Sequence, residues 1–216
     1  MQPITHYFLG FDLGKDRDYS AIAVMAYSVV PDGPFDYALY QQPTRPVLDL
    51  VTLIRIPLGT EYIEVMNRFR DVATRILASA PWGARPPEVY VVIDAAGPGQ
   101  IAVELIRRQQ LNIRLVAALL TGGADAHLLK NGKVTVPRRD VLTNTRYLLE
   151  SGALRIASRL KLGAVLEAEF AAVRPEGGQS AHDDLAIAAG LAAWQATRVF
   201  PQLLRRAALS QQPRAA

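Results

Sequence analysis

The stretch FLGFDLGKDRDYSAIAV, residues 8–24, places an aspartate at the end of an almost wholly apolar run. Phe8, Leu9 and Phe11 are typical of a buried strand, turn-forming residues follow in GKDRDY, and SAIAV begins a second apolar run. This order predicts a β-hairpin. Asp12 is then a carboxylate beside apolar surface, which is unfavourable unless the carboxylate is paired, hydrogen-bonded or bound to a cation.

Composition limits the class of protein. The chain has 216 residues, half of them apolar and a fifth charged, which is typical of one soluble globular domain. We expect that domain over residues 1–200 and a flexible C-terminal tail over residues 201–216, where little can be buried. Cysteine is absent, which excludes disulfides and thiolate metal sites.

Charge and hydropathy bear on partners and location. The formal charge of +4 favours a polyanionic partner such as nucleic acid, although a generally basic set of cellular proteins explains it equally well. No run approaches the roughly 18 apolar residues that span a bilayer, and the N-terminus lacks the pattern of a signal peptide. We therefore expect a cytoplasmic protein with no membrane partner.

The remaining elements predict an α/β fold with a mixed central sheet. A third strand in VLDLVTLIRIP makes three antiparallel strands, and an amphipathic helix follows from about Thr60. The strand VYVVID, a helix and the strand IRLVAALL then form a strand–helix–strand unit, which favours parallel pairing. A basic loop over residues 121–137 precedes three helices, which begin near Asp140, near Leu162 and at HDDLAIAAGLAAW.

Separated carboxylates lie at the ends of these elements. Asp12 ends the first strand, Asp94 ends the fourth, and Asp183 and Asp184 open the last helix. If the first and fourth strands are neighbours, Asp12 and Asp94 lie side by side, and a helix packed across them can bring the third carboxylate. Such a cluster repels itself unless hard cations bind it, and two ions about 3.5–4 Å apart can hydrolyse a phosphodiester.

Each of these aspartates also has an ordinary structural explanation. Asp12 and Asp94 precede turn residues, and turn formation is the commoner role for either one alone. Asp183 or Asp184 is suited to cap a helix, a role that needs only one of the two. The functional hypothesis therefore depends on the whole set and its order along the chain.

Several motifs in this order resemble a known family. GFDLGKDRDYSA, VVIDAAGPGQ, NGKVTVPRRDVLTNTRYLLESGALRI and HDDLAIAAGLAAW are similar to the nuclease domain of the terminase large subunits of tailed phages and related viruses. The resemblance extends from about Tyr7 to Trp194. It implies a ribonuclease H-like fold and metal-dependent endonucleolytic cutting of double-stranded DNA during viral genome packaging, in the cytoplasm of the host cell.

The resemblance also assigns roles to individual residues. Asp12 and Asp94 match the family's strand carboxylates, and Asp183 and Asp184 match its terminal pair, so these four are the expected catalytic ligands of two Mg²⁺ or Mn²⁺ ions. Asp18 matches an aspartate sometimes found in the hairpin turn, and a turn-forming role explains it about as well.

Other residues are candidates for contacts around this site. A basic group is expected to contact DNA phosphates, although a solvated basic surface explains each member equally well: Lys130, Lys133, Arg138 and Arg139. His182 is a further candidate at the edge of the site, and a surface histidine at a helix start is the simpler account. For Glu169, which lies among apolar positions, we expect a structural ion pair first and a supporting role near the metal second.

The packaging family normally carries an ATPase motor, yet no G-x-x-x-x-G-K-[ST] motif occurs here. The expected partners are therefore double-stranded DNA, an ATPase motor domain or subunit, and other packaging proteins such as the portal and the small terminase subunit.

Three alternatives stay open at this stage. A Holliday-junction resolvase shares the fold and a carboxylate site. An actin-like or sugar-kinase-like nucleotide-binding domain shares the FDLG motif but needs a better second phosphate loop than DAAGPGQ. A DNA-binding module without catalysis is the third, and folding alone does not require all of the aspartates.

Overall fold

The hairpin predicted from residues 8–24 lies at the centre of the sheet in the computed structural model, which describes residues 5–14, 18–173 and 182–204. The strands are β1 (His6–Asp12), β2 (Ser20–Pro31), β3 (Thr44–Ile56), β4 (Glu88–Asp94), β5 (Arg114–Thr121), β6 (His127–Leu128), β7 (Val134–Pro137) and β8 (Leu154–Ile156). The helices are α1 (Tyr62–Leu77), α2 (Gly99–Arg108), α3 (Arg138–Glu150), α4 (Gly163–Ala172) and α5 (Asp184–Val199).

The described strands form one mixed sheet in the order β6-β7-β5-β4-β1-β2-β3-β8. β1 pairs antiparallel with β2 and parallel with β4, which confirms that the first and fourth strands are neighbours. β2 pairs antiparallel with β3, while β4, β5 and β7 pair parallel in succession. The carboxyl ends of β1, β3, β4, β5 and β7 therefore meet at one edge of the sheet, which we call the upper edge.

Helices cover both faces of this sheet. Alternate residues of β1 face opposite ways, so that Phe8 packs with α3, α4 and α5, whereas Leu9 and Phe11 pack with α1 and α2. α5 lies against β1 and β2 and is buried on all sides along most of its length, as its alanine-rich sequence permits. The predicted α/β architecture, with an antiparallel part and a parallel part in one sheet, is confirmed.

The predicted basic loop over residues 121–137 is in part a hairpin. It contains β6 and β7, which pair antiparallel across a turn that includes Asn131 and Gly132. Asn-Gly between two strand-forming runs is a hairpin signal, so the sequence carried the information. Two smaller differences are the short β8, and α3, which begins at Arg138 rather than near Asp140.

The C-terminal segment is described only as far as residue 204. Residues 202–204 are helical, and Leu203 is buried among the core residues beside α5. The rest of the expected tail, residues 205–216, lies outside the described residues. In the described part of the chain, no helix is both long enough and apolar enough to cross a membrane.

Candidate active site

Asp12 and Asp94 end neighbouring parallel strands at the upper edge. Phe11 stands opposite Ile93 in the register of β1 and β4, so the two aspartates follow at matching positions. The strand alternation places both on the face that α5 covers, because Phe8 and Val92 belong to the core on that side. The side-by-side placement expected from the sequence is confirmed.

α5 brings the terminal pair to the same edge. Asp183 immediately precedes the helix and Asp184 is its first residue. One turn further on, α5 lies so close to β1 that a Cβ atom built on Gly10 would stand 1.8 Å from the Ala188 carbonyl oxygen. Glycine at position 10 is therefore what lets the helix rest on the strand that carries Asp12.

A pocket of about 180 Å³ opens where these elements meet. Asp12, Asp18, Asp183 and Asp184 line it together with Leu13 and Gly14. Ser20 holds the neighbouring turn, because its hydroxyl donates to the Gly14 carbonyl at 3.1 Å and accepts from the Gly14 N–H at 3.2 Å. Four of the five predicted carboxylates thus share one pocket, and Asp94 adjoins it through Asp12.

The electrostatics of Asp12 show how closely these carboxylates interact. Burial raises the pKa of Asp12 well above its ordinary value. The negative charges of Asp94, Asp184 and Asp183 raise this pKa further, while the Arg138 guanidinium lowers it. Asp12 is therefore a carboxyl that folding makes harder to ionise, in a place where other negative charges converge.

Asp94 is perturbed in the same direction. Burial raises the pKa of Asp94, and backbone hydrogen bonds from Ala96 and Leu120 oppose that rise, as does Arg138. The Ala96 N–H donates to Asp94 Oδ1 at 3.0 Å, which is the contact of an Asx turn. The structural role and a role in the site therefore coexist in this residue.

Arg138 lies inside the carboxylate cluster. It is the first residue of α3, directly after β7 at the upper edge, and its guanidinium forms an ion pair with Asp183. The sequence suggested that Arg138 contacts DNA phosphates. In the structure Arg138 instead neutralises one of the site's own carboxylates.

Sequence reasoning missed Arg55, near the end of β3. Its Nε donates to Asp184 Oδ2 at 2.8 Å, and its Nη2 donates to Asp184 Oδ1 at 3.2 Å and also to Glu169 of α4. The ion pair expected first for Glu169 is confirmed. Position 55 lies on the α5 side in the strand alternation, so an arginine there within an apolar strand was a signal of a buried acidic partner.

The other predicted residues lie around this centre. Lys130 and Arg139 are exposed, and Lys133 donates to Gln100 Oε1 at 3.2 Å, which ties the β6–β7 hairpin to the start of α2. His182 is exposed, and its ring meets the Tyr19 ring edge-on with centroids 4.9 Å apart. These residues are near the upper edge, and none of them has a printed contact with the carboxylates.

Solved structures share this architecture. Two crystal structures of the large terminase nuclease from the thermophilic phage G20c match 90% of this chain and 83% of theirs at 18% identity. The structure with bound zinc has a TM-score of 0.52, and the structure with bound magnesium has a TM-score of 0.51. The chain has the fold of a large terminase nuclease. No family model and no curated protein matches the sequence.

The donor set of this terminase-nuclease fold suits a hard divalent cation. All of its candidate ligands are carboxylate oxygens, which Mg²⁺ and Mn²⁺ prefer, and a cation would relieve the repulsion that acts on Asp12. Among residues 5–14, 18–173 and 182–204, however, no three His, Asp or Glu side chains are grouped so as to hold an ion. The reason is that Arg138 pairs with Asp183 and Arg55 pairs with Asp184.

Proposed function

We propose that this protein is a metal-dependent endonuclease that cuts double-stranded DNA. One observation carries the proposal: carboxylates from β1, β4 and α5 converge at one edge of the sheet, where they raise the pKa of Asp12 together. Folding alone gives no reason to gather repelling charges at a pocket, since such groups destabilise the folded state. The likeness to terminase nucleases in fold adds support by analogy.

In this proposal Asp12, Asp94, Asp183 and Asp184 hold two Mg²⁺ or Mn²⁺ ions, with Asp18 as a further ligand. Two such ions activate a water and stabilise the departing 3′ oxygen of the phosphodiester. Asp183 exchanges its ion pair with Arg138 for a place beside the metal. The released Arg138 guanidinium is then free to contact a DNA phosphate, which is the role that the sequence suggested for it.

The DNA backbone would lie across the upper edge. Lys130, Lys133 and Arg139 surround that edge on the side of β7, and His182 lies on the other side near Tyr19. Phosphate contacts of this kind give affinity with little sequence preference. We further propose that the nuclease acts in viral genome packaging, together with an ATPase motor domain or subunit, a portal and a small terminase subunit.

A supercoiled-plasmid assay tests the proposal. The wild type should nick and linearise the plasmid with Mn²⁺ or Mg²⁺ and should be inactive in EDTA. Asp94→Asn should abolish cutting, whereas Asp49→Asn is a matched control, because Asp49 is a strand aspartate of the same sheet that pairs with Arg155. Equal cutting by the Asp94 variant, or a strong preference for four-way junctions over linear duplex, would contradict the proposal.

A further inference from the structure

Arg55 grips both oxygens of one carboxylate in the candidate site. The two contacts come from one planar guanidinium, at 2.8 Å from Nε to Asp184 Oδ2 and at 3.2 Å from Nη2 to Asp184 Oδ1. This fork fixes the plane of the Asp184 carboxylate as well as its position. Asp184 is only 3% exposed, so water does not compete for these contacts.

Arg55 is itself held on two other sides. Glu169 of α4 forms an ion pair with its Nη2, and the second Glu169 oxygen accepts the backbone N–H of Ala186 at 3.0 Å. The Tyr19 ring faces the guanidinium, 4.9 Å from its central carbon. One buried network therefore joins β3, α4 and the first turn of α5, so Arg55 cannot easily turn away from Asp184.

The charges of this network leave Asp184 negative in effect. Arg55 carries one positive charge and contacts two carboxylates, so Glu169 balances Arg55 and the net charge of the three side chains is that of one carboxylate. Each carboxylate oxygen has about two acceptor positions, so an Asp184 oxygen that accepts from Arg55 keeps one for a cation. Arg55 thus fixes Asp184 without removing it from the set of possible ligands.

We propose that Arg55 is a positioning residue that holds Asp184 ready for a divalent cation, with Glu169 as the counter-charge that keeps Asp184 available. This inference rests on the proposed function, because it presumes that the carboxylates at the upper edge bind metal. Outer partners of metal ligands commonly affect metal affinity by about 10–100-fold. Arg55 differs from Arg138, which contacts Asp183 from a half-buried position and has no carboxylate of α4 behind it.

The test is calorimetric titration of the whole protein with Mn²⁺, without DNA. Arg55→Lys keeps the positive charge but loses the fork, and we expect its Kd for Mn²⁺ to rise about 10–100-fold. Glu169→Gln should also weaken Mn²⁺ binding, because Arg55 then neutralises Asp184 alone. The matched control is Arg155→Lys, since Arg155 grips both oxygens of Asp49 at 2.7 and 2.8 Å away from the upper edge.

Thermal unfolding with and without Mn²⁺ separates positioning from a purely structural role. A structural role would lower the Tm of the Arg55 and Glu169 variants and leave the Kd for Mn²⁺ at the wild-type value. That result, in either folded variant, would overturn the inference while leaving the proposed function intact. A wild-type protein that neither binds Mn²⁺ nor cuts DNA would instead refute the proposed function, and this inference with it.

Discussion

Asp12 is the residue at which folding and function oppose each other. Its burial, and the carboxylates around it, raise the pKa of Asp12 well above its ordinary value of 3.8. The folded state then binds this proton more tightly than the unfolded state does. The free energy of unfolding therefore falls as the pH rises from about 3.8 through the raised pKa, and above that pKa the ionised carboxylate destabilises the metal-free protein.

Asp12→Asn should accordingly stabilise the metal-free protein at neutral pH. The variant removes a buried charge and keeps the shape of the side chain, and a pKa change of one unit corresponds to about 1.4 kcal/mol. We expect a gain of about 1–2 kcal/mol in the free energy of unfolding, or a Tm about 2–6 °C higher in EDTA. Calorimetric unfolding measures this, and a Tm below that of the wild type would contradict it.

The raised pKa of Asp12 also predicts a pH-dependent metal affinity. A metal ligand must be deprotonated, so Mn²⁺ binding should release a proton and should weaken as the pH falls through this pKa. Titration in two buffers of different ionisation enthalpy measures the protons released at about pH 5 and about pH 8. More protons should be released at the lower pH. Equal release at both, in a protein that binds Mn²⁺, would count against Asp12 as a ligand.

Much of the site at the residue scale follows from the order of elements in the sequence. Asp12, Asp94 and the Asp183–Asp184 pair each end or begin an element, and strand adjacency then determines that they meet. Arg55 was not identified because its partners are 114 and 129 residues away in the chain, in two helices whose packing no local pattern specifies. The Arg138–Asp183 pair was missed for the same reason.

At the scale of elements, the contact between α5 and β1 sets the position of the terminal carboxylates. Gly10→Ala would place a Cβ atom 1.8 Å from the Ala188 carbonyl oxygen and 2.9 Å from the Ala192 nitrogen. α5 must then move away, so we expect a loss of about 2–3 kcal/mol in stability. The Tm should fall by about 5–10 °C, and cutting should decrease even at temperatures where the variant is folded.

Gly122→Ala is the control for this substitution. A Cβ atom there meets nothing within 4 Å, so the stability should change by no more than about 0.5 kcal/mol. If Gly10→Ala behaved like Gly122→Ala in Tm and in cutting, the close approach of α5 to β1 would not be what positions Asp183 and Asp184.

The long elements were predictable and the short ones were not. β1, β2 and α5 carry clear patterns of burial, because each contributes to the core over several residues. β8 has three residues and takes its pairing from β3, so nothing local distinguishes it from a loop. The β6–β7 hairpin had a local signal in Asn131 and Gly132, which the charge of the surrounding lysines obscured.

On the scale of the whole molecule, the basic residues at the upper edge should supply the DNA affinity. Lys130→Ala combined with Lys133→Ala should weaken binding to duplex DNA in EDTA. Because each lost phosphate contact lowers the slope of log K against log salt by about 0.9, the slope should become shallower by up to about 1.8. Fluorescence anisotropy over a series of salt concentrations measures both effects.

The control removes two positive charges at the opposite edge of the sheet. Arg85 lies just before β4, and Arg108 ends α2, which runs back from the upper edge between the parallel strands β4 and β5. Both side chains are exposed. A loss of affinity and of salt slope as large for Arg85→Ala with Arg108→Ala as for the lysine pair would contradict a DNA surface at the upper edge.

The central claim is that carboxylates from β1, β4 and α5 form one metal site. The most direct test is anomalous diffraction from crystals of the protein soaked in Mn²⁺. We predict anomalous peaks at the upper edge, in contact with Asp12 and Asp94 and with at least one of Asp183 and Asp184, and a changed position for Arg138. No peak at the upper edge, in crystals that show Mn²⁺ bound elsewhere, would contradict the account.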